Sequence, residues 1–408
     1  MRAVVLLLST YPFVEPRHGG QVRLANVSKT FESAGWEIES VAVYEPESYG
    51  ERPLGKNDLP FPQLSPYRLF RGRNVPFVND LLSGEYAIAE DGGFPSIQRV
   101  LPRRIDAIHV EQPWLWPLAC RIKKMRAYEN AILIYGSQNI EAPLKRTILS
   151  SYGVSGADDA IHAVDALERQ AAREADLTLA VTKADLDVLA AYGAKKLLLA
   201  PNGIAPWSAS AAALERWRAQ LTTAPWILYV ASAHPPNFTG FTACVGDSLA
   251  SIPPDSRLVV AGSVGEHLYR TLAATRWHSL NLSRLQLLWV LQDEDLAAVK
   301  SLAHAYLLPI QHGGGSNIKT AEALYSGAYV VGTEAAFRGF EDHLGLPEVS
   351  VAKSPAEMQA TIRAVLSRPA QSTFSNTNSR KQRDSLLWNC CLAPIPAAVE
   401  SLVKRARE

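Results

Sequence analysis

One segment concentrates residues that can do chemistry: Pro309-Ile310-Gln311-His312-Gly313-Gly314-Gly315-Ser316-Asn317-Ile318-Lys319-Thr320-Ala321-Glu322-Ala323-Leu324. An apolar run precedes it and a helical pattern follows, so the glycines fall on a strand-to-helix turn. Three glycines let the backbone approach a ligand closely and take up positive φ. Ser316 is placed to cap the helix. The free N–H groups at that helix end, with the helix dipole, suit a phosphate. Lys319 and Glu322 are three residues apart and share a face. A cation for a diphosphate and a carboxylate for a pair of sugar hydroxyls is chemistry that this spacing supports. The plainer reading is a glycine-rich turn with a surface Lys319–Glu322 ion pair.

Three other motifs are tested by the same residues. A P-loop needs glycine immediately before its lysine, and Ile318 stands there. His312–Gly315 spells the oxyanion loop of an esterase, but that chemistry needs a later G-x-S-x-G elbow. The nearest candidate, Ala261-Gly262-Ser263-Val264-Gly265, has alanine first and comes too early. The Gly19-Gly20 pair lacks the G-x-G-x-x-G spacing of a dinucleotide fingerprint.

The elements that must position this segment alternate along the chain. Apolar runs at 4–8, 38–44, 105–111, 131–137, 177–182 and 196–200 read as strands. Helical patterns fall at 21–34, 78–89, 114–125, 142–151, 157–175 and 183–192. Residues 45–95 hold seven prolines and little other periodicity. A compact domain seldom carries so long a loop without a use for it, since loops on a rigid scaffold carry specificity. Pro201-Asn202-Gly203, Pro206 and the Ser/Ala-rich stretch 208–213 read as a break and linker. A second alternation follows, with strands at 227–231, 257–261, 285–291, 305–310 and 329–332. Its helices are at 241–251, 266–274, 293–300 and 316–326. The predicted fold class is α/β: two doubly wound, Rossmann-like domains facing across a cleft, with ligands beyond the carboxyl ends of the strands. The expected division is 1–205, 206–380 and a helical tail, 381–408, interrupted by Pro394 and Pro396 and returning to the first domain.

The chain has 408 residues, 47% hydrophobic and 20% charged, which excludes a wholly disordered protein. With 41 Lys and Arg against 40 Asp and Glu, the net charge of +1 gives no global reason to bind nucleic acid. Cys120, Cys244, Cys390 and Cys391 form no C-x-x-C and read as reduced thiols, which points to a cytoplasmic setting. Residues 4–8 read as a first strand rather than a signal peptide, and no window is apolar enough to span a bilayer.

At these motifs the chain resembles glycosyltransferases of the GT-B fold, most of all family 4. The pieces, in order, are Gly19-Gly20; Gln138-Asn139-Ile140-Glu141; Pro201-Asn202-Gly203-Ile204; residues 230–237; residues 313–324, similar to GGG(S/T)xxKxxEA; and residues 329–333 followed by Arg338-Gly339-Phe340. The resemblance implies a nucleotide-diphospho-sugar donor bound mainly by the second domain and a glycan or lipid-linked acceptor on the first. Carried over, Glu322 would hold the donor ribose. Gly313, Gly314, Gly315, Ser316 and Asn317 would approach the phosphates or sugar, with Lys319, His234 and Asn237 beside them. Gly19 and Gly20 would lie on the phosphate side of the first domain. Arg23, Gln112, Asn139 and Glu141 would face the acceptor.

The resemblance also implies retention of anomeric configuration by same-face attack. No protein nucleophile is assigned. The leaving diphosphate would be stabilised by fixed N–H groups and Lys319, with no metal and no cofactor. Gly314 stands where many members have a glutamate, Pro235-Pro236-Asn237 where many have a lysine, and Gln138 where many have histidine. Asp185-Leu186-Asp187 and Asp293-Glu294-Asp295 resemble metal-binding pairs but fall at helix starts. The basic clusters at Arg68, Arg71 and Arg73, at Arg103-Arg104 and at Lys123-Lys124-Arg126 read either as a solvated face or as peripheral contact with the inner membrane surface. Among the histidines, His109 reads as a strand-end residue and His18 as a loop residue. Trp114 and Trp116 read as core. Two other readings stay open: a catalytically weak GT-B binding or scaffold protein, and a GT-B sugar-nucleotide epimerase.

Overall fold

The computed structural model describes residues 2–312, 314–370 and 377–408. The chain divides into two compact units, Met1–Asn202 with Cys391–Glu408, and Gly203–Cys390.

The first unit is built on seven parallel strands. They are β1 (Val4–Ser9), β2 (Glu37–Tyr44), β3 (Leu59–Pro60), β4 (Ala107–Glu111), β5 (Ile132–Gly136), β6 (Leu177–Ala180) and β7 (Leu197–Leu199). Their order is β3-β2-β1-β4-β5-β6-β7. All six residues of β1 are buried, as befits a central parallel strand covered on both faces. The strand order reverses between β1 and β4, which pair from Val5↔Ala107 to Leu8↔Val110. In such sheets the crevice at that reversal is the ligand position.

The second unit carries six parallel strands: β8 (Trp226–Val230), β9 (Arg257–Ala261), β10 (Leu285–Trp289), β11 (Ala305–Leu308), β12 (Tyr329–Thr333) and β13 (Val349–Ala352). Their order is β10-β9-β8-β11-β12-β13, so its reversal falls between β8 and β11. Apolar side chains from both faces of each sheet form the cores.

Several expectations need correction. The stretch read as linker ends in a helix, Ala211–Gln220, capped by Ser210 Oγ and anchored by buried Trp217. The helix after β8 starts six residues earlier than its pattern suggested, because Pro235 and Pro236 occupy its first turn, where a missing N–H costs nothing. For the same reason Pro394 and Pro396 start the last helix, Pro394–Arg407, rather than interrupt it. That helix belongs to the first unit, and Arg407 Nη2 meets Asp106 Oδ1 at 2.5 Å. The segment 45–95 contains the two-residue edge strand β3, where Pro60 is tolerated, and the helix Asn79–Ile88. The helices Phe94–Val100 and His278–Arg284 were not anticipated.

Candidate functional site

In the second unit, the loops after β8 and β11 flank the strand reversal. The β11 loop leads into the helix Ile318–Ser326, capped by Asn317, whose Oδ1 accepts the Lys319 N–H at 3.1 Å. Ser316, expected as the cap, lies one residue too early. It is 9% exposed, and its Oγ has no hydrogen-bond partner among the described residues. Gly315 is buried at φ 56, a left-handed conformation natural to glycine, and Gly314 is exposed. Gly313 lies outside the described residues.

Lys319 crosses the reversal: its Nζ donates to Asn237 Oδ1 at 2.9 Å. Asn237 is held in turn, donating through Nδ2 to Ser232 O at 2.9 Å and Ser232 Oγ at 3.3 Å. Burial pulls the Lys319 ammonium down to about 8, against the opposing influence of Glu322. Glu322 ion-pairs with Lys300, Nζ to Oε1 2.7 Å, and not with Lys319 as a surface pair would. His234 is exposed at the start of the Pro235–Val245 helix. Thus Lys319 and Asn237 come together, Glu322 lies on the same helix, and His234 stays at the rim.

A cavity of about 680 Å³ opens nearby, at the carboxyl ends of β11, β12 and β13, lined among others by Gln311, Thr333, Phe337, Arg338 and Lys353. Lys319, Asn237 and Glu322 do not line it. Arg338 joins the two places by donating from Nε to Gly315 O at 2.7 Å.

In the first unit, the reversal is filled by a buried polar network centred on Glu111, at the end of β4. Glu111 Oε1 accepts from Arg23 Nε at 3.1 Å and from Gln138 Nε2 at 2.8 Å, and Oε2 meets His109 Nε2 at 2.5 Å. Gln138 also donates to the Tyr11 hydroxyl at 2.7 Å. Arg23 Nη1 donates to Ala200 O at 2.9 Å and Asn202 Oδ1 at 3.1 Å. Arg23 is only 1% exposed, so it faces the interior rather than an acceptor. Burial tends to raise the Glu111 pKa, but His109, Arg23 and Gln138 outweigh it and hold the carboxyl below the usual range. Burial and the Glu111 charge push the Tyr11 phenol well up.

Gly19 is exposed at the first position of the helix Gly19–Ser33. A Cβ on Gly20 would lie 2.8 Å from Tyr11 Oη and 3.0 Å from Gln138 Oε1, so its lack of side chain admits that pair. His18 is the cap of this helix, in a reciprocal box with Gln21.

Three of the four expected acceptor-side residues do converge. Glu141 Oε1 accepts from Gln112 Nε2 at 3.1 Å and from Asn139 Nδ2 at 3.3 Å. Gln112 has φ 64, and such strain in a non-glycine residue clusters at functional sites. Trp114 and Trp116 are buried in the core.

Burial pushes Glu141 up to about 7 and Glu168 up to about 8. The Glu168 carboxyl accepts the Glu141 N–H at 2.9 and 3.1 Å. Both groups stay protonated in the fold where the unfolded chain has released its protons. Stability is therefore expected to fall as pH rises from about 4.5 to about 8, by about 1.4 kcal/mol per pH unit per differing proton. Glu141→Gln should be more stable than wild type at pH 8, by about 1–3 kcal/mol, and nearly equal at pH 5, as read by urea unfolding. A wild-type advantage at both pH values would contradict this.

In the acidic segment at 293–295, Asp295 Oδ1 accepts from Trp217 Nε1 at 2.8 Å, and Glu294 from Ser210 Oγ at 2.6 Å. Among the described residues no group of three His, Cys, Asp or Glu could hold a metal ion. No described helix is long and apolar enough to cross a membrane. Of the basic clusters, Arg68 pairs with Glu45 and Glu47, Arg73 with Asp159, Arg104 with Asp106 and Lys123 with Asp176.

Two parallel sheets with these strand orders match solved structures over their full length. Sucrose-phosphate synthase from Thermosynechococcus elongatus superposes with TM-score 0.69 at 15% identity, covering 99% of this chain and 100% of that one. The catalytic domain of Starch Synthase IV from Arabidopsis thaliana, bound to ADP and acarbose, gives 0.61 at 13%, covering 99% and 100%. Anabaena HepE in complex with UDP gives 0.57 at 14%, covering 100% and 98%. The fold is GT-B. No protein-family model matches the chain, and no curated protein matches its sequence. The Lys319–Asn237 bridge lies at the strand reversal of the second unit and the Glu111 network at that of the first. Sequence reasoning missed Glu111, Lys300 and Tyr11. The one available signal was His109 two residues before Glu111 on a strand end.

Proposed function

We propose that the chain is a glycosyltransferase that moves a hexosyl unit from a nucleotide-diphospho-sugar to a glycan or lipid-linked acceptor. The observation that carries this reading is the half-buried Lys319 bonded to Asn237 across the β8/β11 reversal, beside the helix end at Gly315, Ser316 and Asn317. A leaving diphosphate placed there would take the Lys319 ammonium in exchange for a neutral amide oxygen. It would also meet backbone N–H groups and the Ser316 hydroxyl, which has no hydrogen-bond partner among the described residues. Fixed donors of this kind need no reorganisation as charge develops. The UDP and ADP named for two GT-B neighbours support the donor class. Family 4 chemistry, with retention and without a metal, is the version the motif order favours. Glu322 is assigned to the donor ribose, and Gln112, Asn139 and Glu141 to the acceptor side.

The test is thermal unfolding with UDP, GDP, ADP, dTDP and CMP, on wild type and Glu322→Ala. A nucleotide at about 100 times its dissociation constant adds about 2.7 kcal/mol, a shift of several degrees. One nucleotide should raise the wild-type transition, with the rise reduced in Glu322→Ala. No shift with any of them would turn the reading toward a GT-B binding protein.

A further inference from the structure

We infer that Lys300 is a positioning residue for Glu322, orienting and neutralising its carboxylate for the vicinal hydroxyls of the donor ribose; this rests on the donor-site reading above.

Lys300 lies in the last turn of the helix Asp293–Leu302 and is 8% exposed. An ammonium so deeply buried needs a counter-charge. Its Nζ lies 2.7 Å from Glu322 Oε1. The pairing is steered from two sides. Lys300 Nζ stands over the Trp207 ring at 5.2 Å from its centroid. Trp207 meets Tyr325 edge-on at 5.0 Å, and Tyr325 shares the face of Glu322 one turn on. The Lys300 backbone is fixed as well, since its carbonyl accepts the Tyr306 hydroxyl at 2.9 Å.

The geometry divides the carboxylate. Oε1 is committed to Lys300, and Oε2 makes no hydrogen bond among the described residues, on a side chain that is 25% exposed. A carboxylate accepting from two sugar hydroxyls must stand near a diphosphate, and an uncompensated negative charge would repel that ligand. Lys300 supplies the compensation from behind, and Lys319, three residues before Glu322, is left to serve the phosphate. The pair therefore sets discrimination between ribose and deoxyribose as well as bulk affinity.

The experiment is calorimetric titration of the full chain with the nucleoside diphosphate that wild type prefers, and with its 2′-deoxy counterpart. The proteins are wild type, Glu322→Ala, Lys300→Met, Lys300→Gln and Lys300→Arg. Wild type should favour the ribose form by about tenfold or more, and Glu322→Ala should lose that preference. Lys300→Met should weaken both forms, because the uncompensated carboxylate repels either diphosphate, and the ribose form about tenfold more, so that the ratio collapses. Lys300→Arg should restore it. Lys300→Gln, which keeps a hydrogen bond to Glu322 without the charge, serves where Lys300→Met fails to fold, and it should show a reduced ratio. Retention of the wild-type ratio in a folded Lys300→Met or Lys300→Gln overturns the inference while leaving the donor site standing. A wild type that binds no nucleoside diphosphate overturns both.

Discussion

Glu111→Ala is expected to lose about 3–5 kcal/mol of stability in urea unfolding, the size of effect seen when one partner of a buried ion pair is removed. The reason lies in what stays behind. Arg23 is 1% exposed, and its Nη2 already lacks a hydrogen-bond partner among the described residues. Removing Glu111 takes away the only carboxylate bonded to it among the described residues. Gln138 Nε2 loses one acceptor and keeps the Tyr11 hydroxyl, and His109 Nε2 loses its only hydrogen-bond partner among the described residues. Arg23→Met in the same chain should recover part of the loss, because an apolar side chain leaves no stranded charge. The acid limb follows from the same group. Its folded pKa is depressed, so its contribution is present above the ordinary carboxylate range and is lost as pH falls through the depressed value. Glu141 and Glu168 act in the opposite sense and at higher pH. A loss below about 1 kcal/mol in Glu111→Ala would show that the network is plastic rather than fixed.

The alternation of strands and helices was legible because buried parallel strands read as plain apolar runs, and 257–261 even carries its observed bounds. What failed was punctuation. Pro394 and Pro396 read as an interruption and Pro235-Pro236 lie outside the helical pattern at 241–251, yet each stands in a first turn, where its lost N–H has no helical acceptor anyway. Ser316 and Asn317 are both good caps by type, and only the path of the loop chose Asn317. Gly262, in the segment that only approaches a serine elbow, is there for backbone reasons. It has φ 104, and a Cβ would lie 2.2 Å from Ala231 O.

In the candidate site, Lys319 and Glu322 could be found because local spacing on one helix puts them on one face. The Glu111 network could not. Arg23 reaches Glu111 over 88 positions and Ala200 over 177, and charge type alone does not tell an arginine facing solvent from one that is buried and paired. The same holds for Lys300, whose place beneath Glu322 depends on the packing of Trp207 and Tyr325.

Lys319→Ala is expected to lower kcat/KM for glycosyl transfer by about 10²–10³-fold, the usual cost of deleting a fixed donor to developing charge. The pH dependence tells this role from simple packing. Burial sets the Lys319 ammonium at about 8 in the unliganded protein, and kcat/KM reports the free enzyme. The cation is present below that value and lost above it, so wild-type kcat/KM should fall as pH rises past about 8. Asn237 cannot prevent this, since an amide oxygen accepts the hydrogen bond without supplying charge. Lys319→Arg keeps its charge throughout, so the alkaline fall should disappear even where the changed geometry lowers the plateau. Asn237→Asp should move the fall to higher pH, because a carboxylate beside the ammonium favours its protonated form. An alkaline limb unchanged in Lys319→Arg would assign that titration to another group and remove Lys319 from the stabilisation of the leaving diphosphate.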